Sequence, residues 1–149
     1  MTSSAPSHSD RVHALNDLLQ GEIAATETYN QALAKFKGDA VQAALRRLRD
    51  DHVDAAAQLK RHVQFQAGKP ATSSGAWGAF AKVVEGTAKA IGQDPALRAL
   101  QEGEEYGAKL YSRGLDDKDL DPNARRLLAD VLLPRQQQHV ATIRALRVE

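Results

Sequence analysis

The sequence predicts an all-α protein, an antiparallel four-helix bundle made of two helical hairpins, with a short extra helix in the long crossover between them. Three observations predict it. Ala and Leu are abundant and aromatics amount to only 5%, a composition weighted toward helix formers. The pairs Asp94-Pro95 and Asp121-Pro122 each read as a helix start, with Asp as N-cap and Pro at the first helical position. Finally, LNDLLQGEIAATETYNQAL at Leu15 to Leu33 returns as LRALQEGEEYGAKLYSRGL at Leu97 to Leu115. The two copies share Leu15/Leu97, Leu18/Leu100, Gly21/Gly103, Glu22/Glu104, Tyr29/Tyr111 and Leu33/Leu115. Each therefore carries Glu-x6-Tyr, and seven residues make about two helical turns, so both side chains share a face.

Taken in order, residues 1–9 are rich in Ser, Pro and His and read as a mobile tail ahead of one domain at 10–149. His8 and His13 are read as solvated. Ser9 or Asp10 is the expected cap of a first helix running to about Phe36. Its apolar side is Leu15, Leu18 or Leu19, Glu22, Thr26, Tyr29 and Leu33, which places a carboxylate inward. Lys37-Gly38-Asp39 is a tight turn, so the next helix, about Ala40 to Gln66, is an antiparallel neighbour. Its inner face reads Val41, Leu45, Leu48, His52, Ala55, Leu59 and His62 or Val63, with His52 at a position suited to leucine.

Ala67 to Gly75 is a loop by composition. Gly75 to Gly92 reads as the short crossover helix, with Trp77, Phe80, Val83, Val84, Ala88 and Ile91 on its apolar side. The third long helix starts at Asp94-Pro95 and is closed by Gly114; an Asp-rich loop, Leu115 to Asp121, follows. The last helix runs to about Arg147 and contains Pro134, which is expected to kink it. Its inner face holds Leu128, Val131 or Leu132, Gln136, His139, Ile143 and Leu146. The pairs His52/His139, Leu45/Leu132 and Leu59/Leu146 keep the same phase, as an internal duplication of a hairpin requires.

Composition removes several function classes. The chain has 149 residues and a formal net charge of +1 with scattered Lys and Arg, which gives no electrostatic footprint for nucleic acid or an anionic membrane. Arg46, Arg47 and Arg49 sit among acids and read as a solvated face. There is no cysteine, which excludes disulfides, thiolate metal sites and cysteine nucleophiles. No stretch reaches the roughly 20 apolar residues of a membrane span, and no apolar leader opens the chain, so a cytoplasmic location is expected. No phosphate-binding loop or nucleophile elbow is present in the sequence.

Two hairpins joined by one long crossover is the connectivity of ferritin-like bundles, whose di-metal centres take one Glu from each of two helices and Glu-x-x-His from each of the others. The chain resembles the ferritin-like superfamily on these residues. More narrowly, it resembles a bacterial four-helix-bundle family known as a domain of unknown function. LNDLLQGE, Asp51-His52, SGAWGAF, GEEYGAKLY and the QxxH of Gln136 to His139 carry that likeness, over Val12 to Leu146. The resemblance implies a metal site of Glu22, His52, Glu104, Gln136 and His139, with iron or manganese as the ion. It also implies a possible stress-related role and dimerisation through a bundle face.

Both Glu-x-x-His carboxylates are missing, however. Arg49 stands three residues before His52, and Gln136 three before His139. Two carboxylates and a neighbouring fixed cation balance a pair of divalent ions poorly, so the di-metal site reads as degenerate. Asp50 and Asp51 point away on a regular helix and are poor substitutes. Glu22 and Glu104 are then expected to form a polar layer with Arg49, His52, His139 or the tyrosine hydroxyls. A single ion at Glu104, Gln136 and His139 is the alternative, and Glu105 replaces Glu104 inward if the helix phase slips by one. Tyr29 and Tyr111 are read as core aromatics with hydrogen-bonded tips. The function expected is thus non-catalytic, with a metal-dependent oxidase or iron-handling protein as first alternative. A helical interaction module presenting Trp77 and Phe80 to an unidentified protein partner is the second.

Overall fold

The computed structural model describes residues 5–78, 82 and 92–148. Among them all regular structure is helical, without a strand. Helix α1 spans His8–Lys35 and α2 spans Asp39–Phe65. A single 3-10 turn covers Gly75–Gly78, and α3 spans Gln93–Leu115. The last helix, α4, is built from Pro122–Leu127, a π-helical turn at Leu128–Leu132, and Leu133–Val148. No described helix is long and apolar enough to cross a membrane. Phe80, Val83, Val84, Ala88 and Ile91 of the expected crossover helix lie outside the described residues.

The helix ends correct the sequence reading in instructive ways. The cap of α1 is Ser7 rather than Ser9 or Asp10: the Ser7 hydroxyl accepts from the Asp10 amide at 3.1 Å, and Asp10 accepts from the Ser7 amide at 3.1 Å. Asp10 is therefore the far partner of a reciprocal capping box, which satisfies two otherwise free amides and starts the helix at His8. The two Asp-Pro pairs also part company. Asp121 caps α4, accepting from Asn123 and Ala124 at 3.2 and 3.4 Å, with Pro122 next to it. Asp94 caps nothing. Helix α3 already begins at Gln93, its N-cap is Gly92 without a side-chain bond, and Asp94 pairs instead with Arg147 at 3.4 Å. Pro95 is tolerated because first-turn amides lack intrahelical acceptors anyway. Asp121→Ala is accordingly expected to lower stability by about 1 kcal/mol, and Asp94→Ala by much less, measured by thermal denaturation.

Pro134 does not break α4. The preceding turn widens, and the Leu133 amide bonds back to the Leu128 carbonyl, five residues earlier. A proline cannot supply the amide that the carbonyl four residues before it needs. One wide turn absorbs the mismatch and lets the helix continue.

The helices pair as α1 with α2 and α3 with the Leu133–Val148 part of α4, while α1 and α3 touch much less. The buried apolar residues fall into two groups. One gathers Leu15, Leu19, Leu59, Val63, Leu128 and Leu132. The other gathers Tyr29, Phe36, Leu45, Leu48, Leu97 and Ile143. At about 2 kcal/mol for each fully buried leucine, these groups supply much of the stabilisation. Gly114, rather than stopping α3, permits close packing: a Cβ there would lie 2.6 Å from a Leu128 methyl. The α2–α3 connection is anchored at its start by Asn16, which donates to the Lys69 carbonyl at 3.0 Å and accepts from the Ala71 amide at 2.8 Å. Among the buried polar side chains, Glu22, His52, Glu104, Gln136 and His139 form a layer that interrupts the apolar interior.

Candidate metal centre

Each helix contributes to this layer through the leucine periodicity that faces it inward. Glu22 follows Leu15 and Leu19 on α1, and Glu104 follows Leu97 and Leu100 on α3; they are 5% and 3% exposed. Glu105 does not take the inward place. It lies at the surface, 3.5 Å from Arg144. The repeated tyrosines cross over between copies: the Tyr29 hydroxyl donates to Glu104 Oε1, and the Tyr111 hydroxyl donates to Glu22 Oε1. The Glu-x6-Tyr spacing thus ties α1 to α3 twice.

His52 lies between the two acids. Its Nδ1 is 2.6 Å from Glu22 Oε2 and its Nε2 is 2.8 Å from Glu104 Oε1. Carboxylates accept, so both ring nitrogens donate and the ring is an imidazolium. Burial opposes that charge, but Glu104 and Glu22 outweigh it and raise the His52 pKa well above its usual value. For Glu104, burial favours the neutral acid, yet His52 and His139 prevail and hold its pKa at about 2. Burial, together with Glu104 beside Tyr29 and Glu22 beside Tyr111, pushes both phenols well up, so they stay protonated donors.

His139 is 3% exposed and is held differently. Its Nε2 lies 2.9 Å from Asp51 Oδ2 on α2. Its Nδ1 faces Glu104 Oε2 at 3.4 Å without the alignment of a hydrogen bond, and has no other hydrogen-bond partner among the described residues. The two imidazoles meet edge to face at 4.9 Å. Gln136 does not present its oxygen to the acid. Its amide nitrogen donates to the Glu104 carbonyl at 3.2 Å and to Glu104 Oε2.

Two expectations are corrected here. Arg49 is no part of the layer; it turns outward to Asn30 and Asp50 at 3.3 and 3.2 Å. Asp51, set aside as a poor substitute, reaches the centre from the next helix over. Its side chain remains 44% exposed, and Arg135 brackets it by donating to the Asp51 carbonyl at 3.3 Å and to Asp54 at 2.9 Å. The sequence signal was the pair of acids at 51 and 54 facing Arg135, which is legible only once α2 and α4 are placed side by side.

One ligand atom each from His52, Glu104 and His139 lies within 4.8 Å of the others, a spacing that can surround one metal ion. Glu22 and Gln136 stand behind this trio, on His52 and Glu104 respectively. The donor set of two imidazoles and one carboxylate suits first-row transition ions. No curated protein matches the chain. A family model matches residues 10–117, which holds Glu22, Asp51, His52 and Glu104, while Gln136 and His139 lie beyond it. That match covers most of the 149 residues, and the chain belongs to the family described as Domain of unknown function (DUF2383).

Proposed function

We propose that the chain is a ferritin-like bundle of two hairpins whose ancestral two-ion centre has become a one-ion centre. His52 Nε2, His139 Nδ1 and the Glu104 carboxylate would hold the ion, a divalent first-row metal such as iron or manganese. The observation that carries this is the outer shell. The second nitrogen of each imidazole is held by a carboxylate, Glu22 on His52 and Asp51 on His139, while His139 Nδ1 is buried and unpartnered beside Glu104. Metal-ligating histidines are oriented in this way by outer carboxylates. A bound iron or manganese would supply Lewis acidity and redox capacity. Ion binding, rather than turnover, is what these contacts support.

A second ion finds less. Its carboxylates would come from positions 49 and 136, but Arg49 faces outward and the Gln136 amide nitrogen already engages Glu104. The metal-free layer is the competing reading, favoured by the donor that each oxygen of Glu22 and Glu104 receives. To ligate, His52 must give up the proton it shares with Glu104, so affinity falls as the solution is acidified.

Anaerobic titration of the metal-free protein with iron(II) or cobalt(II) tests the reading. One equivalent is expected, lost in His139→Ala and weakened about 10–100-fold in Asp51→Ala. Binding of no ion at neutral pH, or unchanged binding in His139→Ala, sinks it in favour of the metal-free layer.

A further inference from the structure

Beside the acid layer lies a cavity of about 240 Å³ that no role proposed above uses. Leu18, Gly21 and Ala25 of α1 form one wall, and Leu100, Gly103 and Gly107 of α3 form the other. Tyr29, Tyr111, Glu22 and Glu104 close its inner end. Trp77 and Tyr106 stand at its outer side, their rings 5.4 Å apart.

Small residues facing each other on two helices ordinarily let the backbones close together. Here they come from matching places in the repeat, Gly21 with Gly103 and Ala25 with Gly107, yet the helices stay apart. A Cβ at Gly21 would meet nothing within 4 Å. Void of this kind forfeits dispersion contact along every wall unless something fills it.

We infer that this cavity is a binding site for a small uncharged aromatic molecule bearing one hydrogen-bond donor, of the phenol type. The size follows from comparison: an engineered cavity of about 150 Å³ takes benzene, so this one takes a ring with a short substituent. The charge follows from the inner end, where two carboxylates flank a single imidazolium and disfavour an anion. The donor follows from the same groups, since carboxylate and phenol oxygens accept. Among the described lining residues the one further charged side chain is Glu102, an acid that likewise disfavours an anion. His52 and Glu104 line this cavity as well as the proposed ion site, but phenol binding needs no ion and is read on the metal-free protein, so the two readings fail separately.

The experiment is a titration of the metal-free protein with phenol, followed through the emission of Trp77, the chain's single tryptophan, and the amide resonances of Gly21 and Gly107. Benzoate serves as the anionic control. Saturable binding of phenol with at least tenfold weaker binding of benzoate is expected. Gly21→Leu and, separately, Ala25→Leu fill the cavity while leaving every proposed ion ligand in place in the sequence. Each is expected to weaken phenol at least tenfold while keeping the ion stoichiometry and cooperative unfolding of the parent. No saturable phenol binding, equal binding of benzoate, or unchanged phenol binding in whichever filling variant folds would each overturn the inference. Loss of ion binding alone would leave the cavity proposal intact and count only against the metal centre.

Discussion

Replacing Glu104 by Ala is expected to lower the unfolding free energy of the metal-free protein by about 3–5 kcal/mol, the largest effect of any single change in the layer. Glu104 is 3% exposed and is the point where the four helices converge. Its oxygens accept from Tyr29, His52 and Gln136, and face His139. Truncation strands a phenol and an amide at about 1–3 kcal/mol for each unsatisfied group, and leaves an imidazolium with Glu22 alone. Glu22→Ala removes two partners rather than three, His52 and Tyr111, and should cost less. Glu104→Gln keeps the shape and some of the hydrogen bonds and should fall between Glu104→Ala and the parent. Urea denaturation with chelator present orders the variants. A Glu104→Ala protein within about 1 kcal/mol of the parent would contradict the reading of a tightly coupled layer.

The same residues show how far a sequence carries this fold. Glu22 and Glu104 were legible because leucines one or two turns away fix their phase, and a side chain's direction on a helix depends on little else. His52 and His139 were legible for the same reason. What a single helix cannot reveal is the crevice between two of them. Asp51 is turned about 100° from His52, which directs it away from the centre of its own face but toward α4, where His139 waits. Arg49 has the inward-leaning position by phase, yet its long stem carries the guanidinium out to Asn30 and Asp50. Caps were misplaced wherever two residues compete for one role. Ser7 and Asp10 share the box at α1, and the identical Asp-Pro signals at 94 and 121 diverge because α3 already begins at Gln93, which puts Asp94 inside the first turn. The wide turn before Pro134 expresses a rule that the sequence did contain.

The stability of the metal-free protein is expected to be greatest between about pH 4.5 and 6.5, the ordinary values of the two central groups. The sign at each limb follows from the direction of the shift. His52 binds its proton more tightly folded than unfolded, so its contribution is complete below pH 6.5 and is lost as pH rises through the raised folded value. Glu104 holds its proton less tightly folded than unfolded, so its contribution is complete above pH 4.5 and is lost as pH falls toward about 2. Because the His52 proton and the Glu104 charge are two ends of one interaction, the loss on either limb is largely the same loss, of order 3 kcal/mol. Urea midpoints measured across this range, with chelator, should therefore trace a plateau with two falling sides. His52→Gln should flatten the alkaline side, since nothing is left there to deprotonate, and Glu104→Gln should flatten the acid side. Ion binding changes the alkaline limb in a diagnostic way. Once His52 is a neutral ligand, raising the pH no longer removes a stabilising proton, so the loaded protein should hold its midpoint where the metal-free protein declines. A loaded protein that declines in parallel with the metal-free one would mean that His52 keeps its proton and that the ion, if bound, sits elsewhere.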